Sequence, residues 1–319
     1  MLMTFDKAAD LIKSGKLLHI AGTGDLLKKL PAGNWIGGST EYFMAYDGCE
    51  VSGENLFVTH FPYDNFNIKA YDAKDIKNVA EDAYDNGFSI VIVPFDSAVH
   101  KEYAENASGF KGMFIKNIAG WVAGVNLNIP GQTPVTVNGE TGDVFTGGAV
   151  ALHMEVPAEN TVSINILNIF EQDGSSPIIE FAEEGFSAET CLINGKEANL
   201  AEYLSQNGID TKLPLVGDYS GQGINISFKT VENGIVNFYA PVFKGIKYRI
   251  AKSIPNYEDE FQKQLSALAD IKPIFTCNCI LNFLYCNLEG KRIRAAGPIT
   301  FGEIAYQLVN QTLVYITVI

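Results

Sequence analysis

The stretch FSIVIVPF at residues 88–95 constrains the fold more than any other. It is almost continuously apolar and rich in β-branched residues, as a central strand covered on both faces must be. The rest of the chain therefore has to supply strands beside it and layers above and below it. Residues 4–14 meet part of that need, with Phe5, Ala8, Ala9 and Ile12 on one helical face and Gly15 as the stop. Leu17–Ala21 reads as a short buried strand. A Gly-Thr-Gly-Asp turn and a brief helix at Leu26-Leu27 follow it.

Downstream, residues 55–61 and 67–71 are expected to form a strand pair. Residues 73–86 and 97–106 are expected to be helices. The glycine-dense stretch 109–148 reads as loops and hairpins, since TVNGETGDVFTGG holds both an Asn-Gly and a Thr-Gly turn signal. Strands at 149–156 and 161–169 precede the polar stretch Glu171–Ser176, the most linker-like composition near the middle. The expected domains are thus 1–173 and 174–319. In the second half, strands near 224–231 and 235–240 are joined by Asn233-Gly234, and Tyr257, Phe261, Leu265 and Leu268 mark a helix over 256–269. Both halves mix strands and helices with much antiparallel character, so the fold class is α+β, two mixed-sheet domains with helices covering the sheets.

Composition narrows the partners. With 23 Lys and Arg against 37 Asp and Glu, the net charge is −14, a surface that repels phosphate backbones and anionic lipid. The best basic run, Lys291-Arg292-Ile293-Arg294, is only three charges long and reads as a solvated loop. Neither nucleic acid nor a membrane is an expected partner. The opening residues MLMTFDKAADLIKSGK have no uninterrupted apolar core of a signal peptide, and five cysteines spread over 319 residues suggest reduced thiols. The expected setting is cytoplasmic.

Three stretches could carry chemistry. In IFTCNCILNFLYCNLEG (274–290) a buried strand turns into a helix, and Cys277 or Cys279 at that junction is either a ligand or redox contact favoured by helix N–H groups or a small apolar core residue. The three sulfurs including Cys286 lack the second ligand pair of a zinc site, so no metal is expected. Asn278 and Asn282, four apart, share a face if the helix starts early. In LPAGNWIGGSTEYFM (30–44), Trp35, Gly37, Gly38, Ser39 and Tyr42 could wall a ligand, or the paired glycines could mark a bulge in a strand. Near the end, Glu303 and Asn310 fall on one face if 303–310 is helical; caps and turns tying down a final strand from Leu313 are the alternative. Gly22-Thr-Gly-Asp25 lacks the third glycine of a dinucleotide loop, and no cofactor is expected.

The segments LINGKEANLAEYLSQNGI (192–209), the cysteine strand and GPITFGEIAYQLVNQT (297–312) resemble the C-terminal part of FIST domains, an intracellular sensory domain of bacterial signalling proteins. The matching positions are Gly195, Cys279, Gly302-Glu303 and Asn310-Gln-Thr312. The chain also resembles a set of stand-alone bacterial proteins carrying an LPxGNWIGG motif. The FIST resemblance implies two FIST-like domains and a sensor of a small ligand, with a signalling protein as partner. Asn282 stands where those domains often have an Arg, which puts an anionic ligand such as a free carboxylate in doubt; the resemblance suggests amino acids among the ligands, and Glu303 with Asn310 directed into one site would suit a donor-rich or cationic one. Trp35, Gly37, Gly38, Ser39 and Tyr42 from one half, with Cys277, Asn278, Cys279, Asn282, Gly302, Glu303 and Asn310 from the other, are the expected ligand-binding residues. An enzyme with Cys279 as nucleophile and a ligand-free scaffold are the alternatives.

Overall fold

The computed structural model describes residues 1–219, 221–266 and 271–319. Its fold is α+β, as expected, with several mixed sheets and few helices. The contacts gather the chain into two units. The first holds Met1–Leu167, Gln262–Leu308 and Thr312–Ile319; the second holds Asn168–Phe261 and Val309–Gln311.

The first unit opens with β1 (Leu2–Thr4), α1 (Phe5–Lys13), β2 (Leu17–Gly22), α2 (Gly24–Leu27), β3 (Trp35–Ser39), β4 (Tyr42–Ala45), β5 (Gly48–Val51), β6 (Asn55–Phe61) and β7 (Phe66–Tyr71). It continues through β8 (Gly87–Pro94), α3 (Ala98–Asn106), β9 (Asn117–Ala123), β10 (Thr136–Asn138), β11 (Asp143–Phe145), β12 (Ala149–Glu155) and β13 (Val162–Leu167). The second unit carries β14 (Ile179–Glu180), β15 (Gly185–Ala188), β16 (Thr190–Ile193), β17 (Lys196–Asn199), α4 (Leu200–Gln206), β18 (Leu215–Tyr219), β19 (Gln222–Ile226), β20 (Phe228–Glu232), β21 (Ile235–Val242) and β22 (Tyr248–Ile250). The chain then forms α5 (Tyr257–Ser266), β23 (Phe275–Cys279), α6 (Ile280–Tyr285), β24 (Gly297–Thr300), β25 (Glu303–Ala305), β26 (Gln307–Val309) and β27 (Leu313–Val318). In α5, Phe261 and Leu265 are buried as their spacing predicts, and Leu268 lies outside the described residues.

The run that dominates the sequence is β8, buried along its whole length. It pairs in parallel with β9 and antiparallel with β12 inside the sheet β26-β25-β9-β8-β12-β7. A second sheet, β1-β6-β2-β3-β10-β11, contains the parallel pair β2 and β3. One of its faces is covered by α1 and α2, where Ala8, Ile12, Leu18, Leu27 and Trp35 form a common core. Its other face meets the β8 sheet: a Cβ added at Gly38 would lie 2.6 Å from Ile92 and 2.7 Å from Trp121. A third sheet runs β13-β27-β23-β24-β4-β5.

Several local expectations change. Residues 73–86 hold a 3-10 turn, Ile76–Asn78, instead of a helix. Asp72 explains this, because its carboxylate accepts the backbone N–H of Lys74 and of Asp75 and so competes with a helical ladder. The strands at 55–61 and 67–71 do not pair: β6 lies between β1 and β2, while β7 pairs with β12. Within 109–148, β9 is a buried strand that the glycine density conceals, whereas the β10–β11 hairpin falls where the turn signals place it. Residues 303–310 form β25 and β26, and Tyr306 between them sits at φ 65°, outside any helix.

The second unit has the sheets β17-β16-β14-β22-β18-β19 and β15-β21-β20. Two of its hairpins turn on Asn194-Gly195 (φ 49° and 78°) and Asn233-Gly234 (φ 53° and 80°), the left-handed pairs that a two-residue turn demands. Phe181, Phe238 and Tyr248 pack edge to face in its core.

Candidate functional site

In the first unit, β2, β3 and β9 end close together, at Gly22, Ser39 and Ala123, and backbone bonds tie the ends to one another. Thr40 N–H donates to Gly22 C=O at 2.9 Å and Gly124 N–H to Ser39 C=O at 2.8 Å. Beyond these ends lies a cleft of about 410 Å³, within the usual size of a small-molecule site. The carboxyl ends of parallel strands are where open α/β sheets bind ligands, because the loops leaving them diverge and leave a crevice.

Thr23, Asp25, Lys28, Ser39, Thr40 and Glu41 form the wall on the β2–β3 side, and Val125, Gln132 and Thr133 close the other. Much of this polarity is already used. Ser39 Oγ donates to Gly124 C=O (2.7 Å) and accepts from Val135 N–H (2.9 Å); Thr40 Oγ1 donates to Ile299 C=O (2.7 Å). Thr23 caps α2 by accepting from Leu26 N–H. Lys28 is held 3.8 Å from Asp25, both well exposed.

Glu41 is different. It is a carboxylate only 6% exposed, reached by amides alone: Asn126 Nδ2 donates to Oε2 at 2.8 Å and Gln132 Nε2 to Oε1 at 3.4 Å. Among the described residues no Lys, Arg or His forms an ion pair with it. A carboxylate withdrawn from water without a countercharge is costly, and its two oxygens can accept more than the two bonds they have.

The sequence-derived candidates divide among several places. Ser39 lies in the cleft wall, and Tyr42 stands beside it, its hydroxyl accepting from Leu127 N–H at 2.9 Å. Burial, above all, raises the Tyr42 pKa above its ordinary value. Trp35 and Gly37 point into the core under α1 and α2, with Trp35 Nε1 donating to Pro31 C=O. Gly38 lets the two sheets approach. Alternation along β3 puts Trp35 and Gly38 on opposite faces, so the pocket expected between Trp35 and the cysteine segment does not form.

Cys277, Asn278, Cys279, Asn282 and Glu303 do come together, in a buried cluster. Glu303 Oε1 lies 2.8 Å from Thr300 Oγ1 and Oε2 accepts from Thr312 Oγ1 at 2.9 Å; the Thr312 backbone N–H and the Cys279 thiol also reach the carboxyl. Burial pushes the Glu303 pKa up to about 8. In its protonated form the carboxyl donates to Thr300 Oγ1, whose own proton goes to Asn278 C=O at 3.2 Å. Asn282 Nδ2 donates to Asn278 Oδ1 at 2.9 Å although Asn278 is on β23 and only Asn282 is helical. The Cys277 thiol is pushed well above its ordinary pKa, first by burial and then by Glu303 and Cys279, the opposite of the thiolate that a strand-to-helix junction favours. Gly302 precedes Glu303 and accepts from Val122 N–H. Asn310 belongs to the second unit, where Asn225 donates to its carbonyl at 3.1 Å.

Sequence reasoning missed Glu41, Thr23 and the amides of Asn126 and Gln132. The signal was the pairing of two strand ends, Gly22-Thr-Gly-Asp25 and Ser39-Thr-Glu41, whose meaning depends on β2 and β3 being parallel neighbours.

Fold and cleft together define a mixed-sheet α+β protein with a polar crevice at the ends of parallel strands. A family described as a family of unknown function (DUF6976) matches residues 3–319, and the chain belongs to that family. This match spans both units and overturns the resemblance to FIST domains, whose short turn, cysteine and Gly-Glu motifs are too local to specify a family. No curated protein matches the chain. Among the described residues, no helix is long and apolar enough to cross a membrane, and no group of His, Cys, Asp and Glu side chains is arranged to hold a metal ion.

Proposed function

We propose that this chain is a small-molecule-binding, sensory protein whose ligand occupies the cleft at the ends of β2, β3 and β9, and that the ligand is amino-acid-like or cationic. The reading rests on Glu41, a buried carboxylate in the cleft wall that has amide donors but no cation. An ammonium or guanidinium group placed there would supply the missing charge and a charge-assisted hydrogen bond. The net charge of −14 would draw cations toward the surface. All five cysteines are free thiols, which accords with a cytoplasmic setting, and a sensory output would pass to a protein partner. The alternative of Cys279 as nucleophile has less support, since that thiol is 1% exposed and engages a buried carboxyl.

Thermal unfolding against amino acids, polyamines, sugars and nucleotides tests the proposal. A ligand at 100 times its dissociation constant stabilises by about 2.7 kcal/mol, a shift of a few degrees. The expected result is stabilisation by amines or guanidines that Glu41→Gln loses. Equal stabilisation of wild type and Glu41→Gln, or none by any cationic compound, overturns it.

A further inference from the structure

The wall of the cleft opposite β2 and β3 is a segment with unusual attachments. Residues 126–133 are exposed or half-exposed, and Leu127 and Ile129 present 51% and 46% of their surfaces to solvent. The segment is organised within itself: Asn126 N–H donates to Gln132 Oε1 at 3.0 Å, Asn128 N–H to Asn126 Oδ1 at 2.9 Å, and Ile129 N–H to Asn126 C=O at 3.1 Å. It can therefore move as one piece. Between Gly124 and Val135, its side chains reach the rest of the unit through Asn126 Nδ2 and Gln132 Nε2, both on Glu41. Tyr42 adds the Leu127 N–H bond and a long 3.5 Å contact to Asn126 Oδ1. Both anchors, Glu41 and Tyr42, are adjacent in sequence and lie at the cleft.

We propose that residues 125–134 form a lid latched to Glu41 and Tyr42, and that a donor-bearing cation entering the cleft opens the lid by taking the Glu41 carboxylate from Asn126 and Gln132. This rests on the cleft being the ligand site and adds how occupancy is transmitted. The carboxylate cannot serve both sets of donors equally well. A guanidinium that engages both oxygens side by side satisfies the charge that two neutral amides leave uncompensated. The Gln132 bond, at 3.4 Å, is the weaker and gives way first. Release of the lid uncovers the cleft and changes the setting of Leu127 and Ile129, two apolar side chains already at the surface, so that ligand occupancy becomes a change a partner can read.

Hydrogen exchange of the whole chain, followed peptide by peptide, tests this in two arms. In the first, Glu41→Ala and, from the lid side, the double variant Asn126→Asp with Gln132→Glu, which removes the two amide donors but keeps the oxygen acceptors that organise the segment, are compared with wild type. The second variant alters only exposed or half-exposed side chains, so it keeps the test valid if Glu41→Ala fails to fold. Both should speed exchange within 125–134 by about tenfold or more, as loss of a hydrogen bond to a charged group implies, and leave residues 88–93 unchanged. Unchanged exchange within 125–134 in the lid-side variant overturns the latch. In the second arm, methylguanidinium is added at millimolar concentration, with tetramethylammonium, which lacks donors, as control. Acceleration within 125–134 by methylguanidinium alone, absent in Glu41→Ala, supports the coupling. No acceleration, or the same with both ions, overturns it. The first arm needs no ligand, so a failed latch is told apart from a failed ligand site.

Discussion

Ser89, His153, Tyr71, Asp82 and Lys69 form one chain of hydrogen bonds from the interior of the β8 sheet to its surface. Lys69 Nζ lies 2.6 Å from Asp82 Oδ1, and Tyr71 hydroxyl 2.9 Å from Asp82 Oδ2. Tyr71 hydroxyl is also 2.9 Å from His153 Nε2, and Ser89 Oγ is 2.7 Å from His153 Nδ1. The proton positions follow from counting. Tyr71 has one proton and gives it to the carboxylate, so His153 Nε2–H donates to Tyr71 and Nδ1 accepts from Ser89. His153 is thereby fixed as a neutral ring, and burial lowers its pKa to about 4. Tyr71→Phe should cost about 1–3 kcal/mol in urea unfolding, since it leaves the buried Nε2–H without an acceptor. A double-mutant cycle with Ser89→Ala should be non-additive, because both act through one ring; additivity would mean that the two bonds are independent. None of this was legible in the sequence, where His153 is an isolated histidine in a strand and its register against Ser89 is unknown.

At the scale of elements, the reading succeeded where a signal was local. The face of α1, the continuous burial of β8 and the Asn-Gly hairpins are set by periodicity and turn chemistry within about ten residues. It failed where a distant partner decides. The glycines of β3 illustrate this: a Gly-Gly pair beside Trp and Tyr looks the same in sequence whether it admits a ligand or another sheet. Here Gly38 admits Ile92 and Trp121. Gly38→Ala should therefore destabilise by about 1–3 kcal/mol through overpacking, lowering the urea midpoint while leaving cleft binding as it was. Unchanged stability would show that the sheets can part at this point without cost. The cleft was hidden for the same reason, since Glu41 acquires meaning only when β2 and β3 end side by side.

For the whole molecule, three buried side chains and the Met1 ammonium shape the dependence of stability on pH. Burial lowers His19 from its ordinary 6.5 to about 3 and His153 to about 4, and it raises Glu303 from 4.5 to about 8. His19 is fixed neutral by Trp121, whose indole N–H donates to Nε2 at 2.8 Å and leaves the proton on Nδ1. Each pH unit over which one such group holds its proton differently in the folded and unfolded chain changes stability by about 1.4 kcal/mol. The histidines have depressed folded values, so the unfolded chain binds more protons below pH 6.5, and stability falls as acid is added. Glu303 has a raised folded value: its contribution is complete below pH 4.5 and is lost as pH rises toward 8. Between 6.5 and 4.5 two histidines oppose one glutamate, and the net loss on acidification is roughly 3 kcal/mol; between 6.5 and 8 the decline from Glu303 is opposed by the Met1 ammonium, which burial lowers from 8.0 to about 6, so the two nearly cancel. Stability should fall below pH 6.5 and change little between 6.5 and 8. Urea unfolding across this range in wild type and Glu303→Gln checks the assignment. The variant keeps the hydrogen bonds of the protonated carboxyl without a titrating proton, so its stability should rise between pH 6.5 and 8, where the wild type stays level, while its acid decline steepens. Profiles of the same shape in wild type and Glu303→Gln would leave Glu303 ionised within its ring of donors.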